Sequence, residues 1–230
     1  TMPEGSAVRT MFSGIASRYD LANRVLSLGL CVGWRNRLVA AVKAARPASV
    51  ADLATGSGDV AFALRAELPG SAEVVGYDFC EPMLELGRRR ATAEGVRIEF
   101  RTGDCMRLPI GDAACDAVTV AYGVRNFEDR PRGLRELRRI TRPGGSVFIL
   151  EFSQPDLWFA PFHFLHVRCV LPVAAALLTG DLGAYRYLGT SIAGFPDADG
   201  LTAELKDAGF REVACEKMLF GTVALHQASV

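Results

Sequence analysis

An α/β fold built on a mostly parallel sheet is the architecture the sequence predicts, and three observations carry that prediction. Short apolar runs alternate with helical segments from about residue 47 onward, the segments between them are long enough to be crossover helices, and a glycine-rich turn directly follows the first run. Parallel strands need such crossovers, so the rhythm argues against a meander of hairpins.

Taken in order, residues 1–46 read as a helical cap. Ala7 to Ala45 has helical spacing, broken by turns near Asp20 and Gly29. The strand candidates of the core, residues 47–155, are "SVADLA", "AEVVGYD", "IEFRTGD", "DAVTVAYG" and "SVFILEF". After Phe152 the alternation stops, and residues 156–196 form a candidate lid inserted before the closing segment, 197–230. That segment offers one helix, "DADGLTAELKDAGF", and two strands, "FREVACEKML" and "GTVALHQASV". All of this is expected to make a single domain.

Leu157 to Leu178 is nearly as long as the roughly 20 residues that span a bilayer, but Pro161 and Pro172 interrupt it. His163, His166 and Arg168 lie in its middle, where an arginine costs about 2.5–3.5 kcal/mol even on insertion scales. The segment therefore reads as a lid that shelters an apolar ligand and touches a membrane surface, with a plain core helix as the alternative. The two histidines read first as packing residues and only second as catalytic helpers.

Composition excludes some partners. The 230 residues carry 26 basic and 26 acidic side chains, so there is no broad electrostatic footprint for nucleic acid. Six scattered cysteines with no C-x-x-C pair and no secretory signal predict reduced thiols, a cytoplasmic setting and no metal site.

The informative turn is "DLATGSGDVAF". Gly56 and Gly58 follow a strand and open a helix, so a cofactor could approach the backbone and meet free N–H groups. Gly56, Gly58 and Ala61 also satisfy G-x-G-x-x-A, so the turn by itself suits NAD(P) as well as S-adenosylmethionine. The acids favour the second. Asp59 would place a carboxylate where a pyrophosphate should sit, Asp52 suits a sulfonium and an amino group, and Asp104 would accept from an adenine amine. Asp78, twenty residues past Gly58, is placed to hold a ribose diol. The bland reading of each acid is a cap or a strand-end turn.

A fourth strand end raises a separate question. "VTVAYGVRNFED" runs from an apolar strand into Arg125 and Asn126, which in isolation would read as a surface turn.

These blocks together resemble the ubiquinone/menaquinone biosynthesis C-methyltransferase family, a branch of the class I S-adenosylmethionine-dependent methyltransferases. The resemblance runs through "MFSGIASRYDLANRVLSLGL", "DLATGSGDVA", "GYDFCEPMLELGRRR", "TGDCMRLPIGDAACDAVTVAYGVRN", "RPGGSVFILEFSQP", "AYRYLGTSIAGFP" and "GTVALH". Departures are mild, with Ser57 where Thr is common and Cys105 where Ala is common. The resemblance implies a Rossmann-like seven-stranded sheet with a C-terminal antiparallel hairpin, and methyl transfer to a ring carbon of a polyprenyl hydroquinone. It makes Arg125 and Asn126 the catalytic pair. The cofactor set is then Asp52, Gly56, Ser57, Gly58, Asp78, Phe79, Asp104, Cys105 and Tyr122, and the acceptor set is Tyr19, Asp20, Tyr185 and Tyr187. A homodimer and a peripheral contact with the inner face of the cytoplasmic membrane complete the expectation. Because an arginine holds its proton up to a pH above about 12, stabilising an aryloxide suits Arg125 better than acting as a base.

Overall fold

Burial along each strand tells where it lies in the sheet. The strands are β1 (Ser49–Leu53), β2 (Glu73–Asp78), β3 (Glu99–Thr102), β4 (Cys115–Ala121), β5 (Thr141–Phe152), β6 (Glu212–Met218) and β7 (Val223–Ser229). The sequences of β1, β2 and β4 are almost continuously buried, as strands covered on both faces must be, whereas β3 and β6 are largely exposed. The sheet order explains this: β3-β2-β1-β4-β5-β7-β6 puts β3 and β6 at the edges. Only β7 runs antiparallel, against both β5 and β6, as the predicted closing hairpin requires. The computed structural model describes residues 29–165 and 189–230, apart from the side chain of His163.

Two apolar layers cover the sheet. On one face α1 (Leu30–Ala45) places Leu38, Val39 and Val42 beside Val60 and Leu64 of α2 (Asp59–Glu67), against Val50, Val74, Phe148 and Leu150. α3 (Glu81–Glu94) continues outward, its Leu84 and Ala91 packing with Phe62 and Phe100. On the other face α4 (Arg130–Ile140) buries Leu134, Leu137 and Ile140 at helical spacing, together with Leu201 and Leu205 of α6 (Ala198–Asp207). The short α5 (Ala160–Leu165) follows β5. Asp129 and Asp197 cap α4 and α6 by accepting the backbone N–H groups of Arg132 and Gly200.

The turn expected near Gly29 is present, with Gly29 left-handed ahead of α1. Residues 30–45, expected as part of a cap, form a helix of the covering layer. The rest of the expected cap, 1–28, and most of the expected lid, 166–188, fall outside the described residues, as do Tyr19, Asp20, His166, Tyr185 and Tyr187.

β5 begins earlier than its apolar run. Thr141 pairs with Cys115 and Ser146 with Ala117, so residues 142–145 bulge from the ladder. Asp116 opposite the bulge accepts from the N–H groups of Ala48 and Ser49 and pairs with Arg142. The Pro and glycines of "RPGG" give a turn-like local signal, which conceals a pairing made across the sheet.

Among the described residues no helix is long and apolar enough to cross a membrane.

Candidate active site

The chain leaves β1 for β2 and β3 on one side and returns to β4 on the other, which opens a crevice at the carboxyl ends of β1 and β4. The two strand ends approach closely there: a Cβ on Gly123 would lie 2.7 Å from that of Ala54. Ala54, Gly56 and Gly58 are all left-handed, so the backbone doubles back before α2 begins. Gly58 has a second constraint, since a Cβ on it would meet the Phe100 ring at 2.6 Å.

Asp78 fixes the turn from the next strand. Its Oδ2 accepts the Gly56 N–H at 2.9 Å and its Oδ1 accepts the Cys80 N–H at 2.8 Å. Phe79, between Asp78 and Cys80, is half-buried. Thr55 N–H extends the β1–β2 ladder by donating to the Tyr77 carbonyl at 3.0 Å.

Asp52 is fully buried and accepts 2.6 Å hydrogen bonds from the hydroxyls of Thr55 and Thr119, one on each oxygen. Neither threonine stood out in the sequence, because their partnership spans two strands. Burial pushes the Asp52 carboxyl up to about 6, with the Asp78 charge adding to the rise and the two hydroxyls opposing it. Since the folded pKa lies above the unfolded value, protonation favours the fold. This contribution is complete below about pH 4 and is lost as pH rises through about 6. Asp52→Asn should therefore flatten the pH dependence of the melting temperature of the cofactor-free protein across that window. An unchanged slope in thermal melts would exclude Asp52 as the titrating group.

Asp104 lies at the β3 end as expected. It is exposed, and its Oδ1 accepts the Met106 N–H at 2.9 Å, so the strand-end turn of the bland reading is also present. Cys105 is buried among these acids. Burial first, then the charges of Asp78, Asp104 and Asp52, hold its thiol well above the usual range. The thiol is therefore held neutral, the form in which a cysteine is a weak nucleophile. Ser57 is buried in the turn beside these groups.

Asp59 does not act as its position in the sequence suggests. Asp59 does sit at the start of α2, but its two oxygens pair with Arg35 at 2.9 Å and Arg90 at 2.8 Å, while Arg90 also lies 4.0 Å from the Phe62 ring centroid. Two guanidiniums compensate its charge, so repulsion by Asp59 does not select against a pyrophosphate. The acidic character of the edge, carried by Asp52, Asp78 and Asp104, survives as the argument for a cationic cofactor.

At the β4 end the chain turns through Tyr122, which is left-handed with φ 56°, into a 3₁₀ turn formed by Val124–Asn126. Arg125 and Asn126 are thereby brought to the crevice edge. The guanidinium turns inward: its side chain is 2% exposed and meets Glu151, itself 1% exposed, at 2.7 Å. The Glu151 carboxylate also accepts the backbone N–H groups of Arg125 at 3.2 Å and Phe152 at 2.9 Å. Arg125 Nη1 in turn donates to the Tyr122 carbonyl. The Tyr122 ring packs on Phe152 with centroids 4.9 Å apart, and Asn126 is half-buried. Glu151 was not singled out in the sequence, where it reads as the polar end of the fifth strand. The sole local signal is an acid at the close of an otherwise apolar run.

This edge fits S-adenosylmethionine, because its carboxylate acceptors suit a positively charged ligand with a ribose; the Gly56 and Gly58 N–H groups that the sequence leaves free are taken up by Asp78 and the Thr55 carbonyl, so the turn is held in shape from within. The fold and the edge together define a class I S-adenosylmethionine-dependent methyltransferase. Comparison with known proteins narrows this. The chain belongs to the ubiE/COQ5 methyltransferase family, whose model matches residues 2–229. A demethylmenaquinone methyltransferase of Thermus thermophilus is 45% identical over 217 residues, 94% of this chain and 98% of that protein. One of Deinococcus radiodurans is 46% identical over 90% of this chain and 86% of its own. A ubiquinone/menaquinone biosynthesis C-methyltransferase of Geotalea daltonii is 37% identical over 97% and 96%. Among solved structures, an S-adenosylmethionine-dependent methyltransferase from Thermotoga maritima superposes with a TM-score of 0.65 at 18% identity, covering 96% of this chain and 98% of that one. That likeness concerns the fold alone.

Proposed function

We propose that this enzyme methylates a ring carbon of a demethylated polyprenyl hydroquinone, either demethylmenaquinol or the corresponding ubiquinol precursor. The observation that carries the proposal is the near full-length similarity to the Thermus and Deinococcus enzymes named for demethylmenaquinone. S-adenosylmethionine supplies a methyl group on a sulfonium. Asp78 and the Gly56–Gly58 turn would hold it, with Asp52, Asp104, Cys105, Phe79 and Tyr122 around it.

A hydroquinone carbon becomes a good nucleophile when a ring hydroxyl is ionised. Arg125, its charge compensated by Glu151, would act on the aryloxide as an oriented ion-pair dipole and shapes the turn by holding the Tyr122 carbonyl, while Asn126 would orient the ring hydroxyl. Glu151, held by the backbone N–H groups of Arg125 and Phe152, fixes the guanidinium by accepting one of its N–H groups at 2.7 Å. The ring proton leaves through water or another group, since an arginine carries almost no neutral form at working pH. A second reading has its own support: burial and pairing with Glu151 make Arg125 a structural ion pair whose loss would loosen the turn.

The decisive experiment incubates the purified protein with labelled S-adenosylmethionine and the reduced forms of both quinone precursors, then identifies the methylated carbon. No transfer to either quinol, with transfer to another phenol, would retire the proposal. Asp78→Ala should weaken cofactor binding more than tenfold, because hydrogen bonds to a charged acceptor contribute about 1.5–3 kcal/mol each. Calorimetry giving unchanged affinity would remove Asp78 from the site.

A further inference from the structure

We infer that the Ser153 hydroxyl binds the second ring oxygen of the acceptor, the one remote from Arg125 and Asn126. Ser153 lies just past the carboxyl end of β5 and is 2% exposed, yet its hydroxyl has no hydrogen-bond partner among the described residues. The buried threonines at this end of the sheet are all engaged: Thr55 and Thr119 donate to Asp52, and Thr222 donates to the Leu219 carbonyl. A buried hydroxyl left unpaired destabilises the protein that carries it, so one kept beside the crevice is explained by a ligand that completes it.

The place of this hydroxyl follows from the strand. Phe152 pairs with Val223, and the Ser153 N–H continues the ladder by donating to the Thr222 carbonyl at 2.9 Å, so the chain is still extended here. Alternate residues of an extended chain share a face, which puts Ser153 on the face of Val147, Ile149 and Glu151, about 6–7 Å beyond the carboxylate that holds Arg125. On that face Val124 and Phe127, which flank Arg125 and Asn126, pack in one layer with Ile149 and Phe195. Gln154 fixes the serine from its other side, its Nε2 donating to the Ile192 carbonyl at 2.8 Å and to the Phe195 carbonyl at 2.9 Å. The hydroxyl is therefore set on a rigid frame, one strand repeat from the Arg125–Glu151 ion pair.

The inference rests on the proposed quinol acceptor. A hydroquinone carries two oxygens on opposite sides of its ring. With one of them held at Arg125 and Asn126 the other points away, and a serine hydroxyl, which both donates and accepts, meets it in either its neutral or its ionised form. The contact distinguishes a dihydroxy ring from a phenol with a single hydroxyl, because binding the phenol leaves the buried serine unpaired.

The test measures the binding of two tail-less, water-soluble rings, under reducing conditions, to the full chain saturated with S-adenosylhomocysteine: a naphthoquinol and the naphthol that lacks its second hydroxyl. Ser153→Ala should bind the naphthoquinol about tenfold less tightly than wild type does, and the naphthol equally well. Its melting temperature without ligands should be no lower than that of wild type, since the change removes a buried hydroxyl that bonds nothing, and this also reports that the variant is folded. Unchanged affinity for the naphthoquinol would overturn the inference. So would weakening of both rings alike, or a lower melting temperature, either of which makes the serine a packing residue. The acceptor is tested separately by labelled transfer to the prenylated quinols. Transfer together with unweakened naphthoquinol binding in Ser153→Ala sinks the contact and leaves the acceptor, whereas wild type that neither binds the naphthoquinol nor methylates a prenylated quinol retires both.

Discussion

Arg125→Met and Glu151→Leu, made singly, are each expected to destabilise the fold by about 3–5 kcal/mol, and the double variant to recover most of that loss. Each single change strands one charge in a site where both side chains are almost wholly buried. Removing both replaces an ion pair by apolar groups of similar volume, which is often neutral. The stranded guanidinium would be the costlier of the two to accommodate, because it cannot shed its proton, whereas the stranded carboxylate keeps two backbone N–H donors and can take up a proton. Urea denaturation of the four proteins measures the cycle. Additive single effects would mean that the pair does not act as a unit.

The second large effect is on rate. In the folded double variant, and in Arg125→Ala, methyl transfer should fall by about 2.7–4 kcal/mol of transition-state stabilisation, as when an oxyanion donor is removed. Cofactor affinity should barely move, because the Gly56–Asp78 clamp lies on the other side of the crevice. Arg125→Lys keeps the charge but loses the planar fork, so it should retain part of the activity. If Arg125 favours an aryloxide, the alanine variant should recover rate as pH rises and solvent ionises the hydroxyl. A near-zero rate at every pH, with intact folding and cofactor binding, would instead support arginine as the base. Full activity in the double variant would reduce the pair to the structural ion pair of the second reading.

The strand segments of the core and the place of the glycine turn are legible in the sequence because both follow from local signals, whereas the order of the strands is not. Apolar runs of strand length spaced by helices lead to a parallel sheet, and "TGSG" after the first run places the backbone turn at its end. The start of β5 was not legible: "TRPGG" carries turn residues, and its pairing with Cys115 depends on a strand 26 positions away. Asp59 misled for a related reason. A sequence shows a carboxylate at a helix start but not the two arginines, from α1 and α3, that neutralise it.

By itself the sequence determined the α/β class, the glycine turn, the acids at three strand ends and the placing of Arg125 and Asn126 at the fourth. Each of these depends on residue type and spacing along a single segment. Only the tertiary structure decided where those side chains point. It buried Asp52 between two threonine hydroxyls, closed Asp78 onto the Gly56 turn and turned Arg125 inward onto Glu151. It also gathered Trp158 and Phe220 from opposite sides of the closing helix into one exposed cluster. The physical reason is common to all four: a charge or a ring is satisfied by whatever partner the fold brings within reach, and such partners lie on other strands and helices, beyond the range of local pattern.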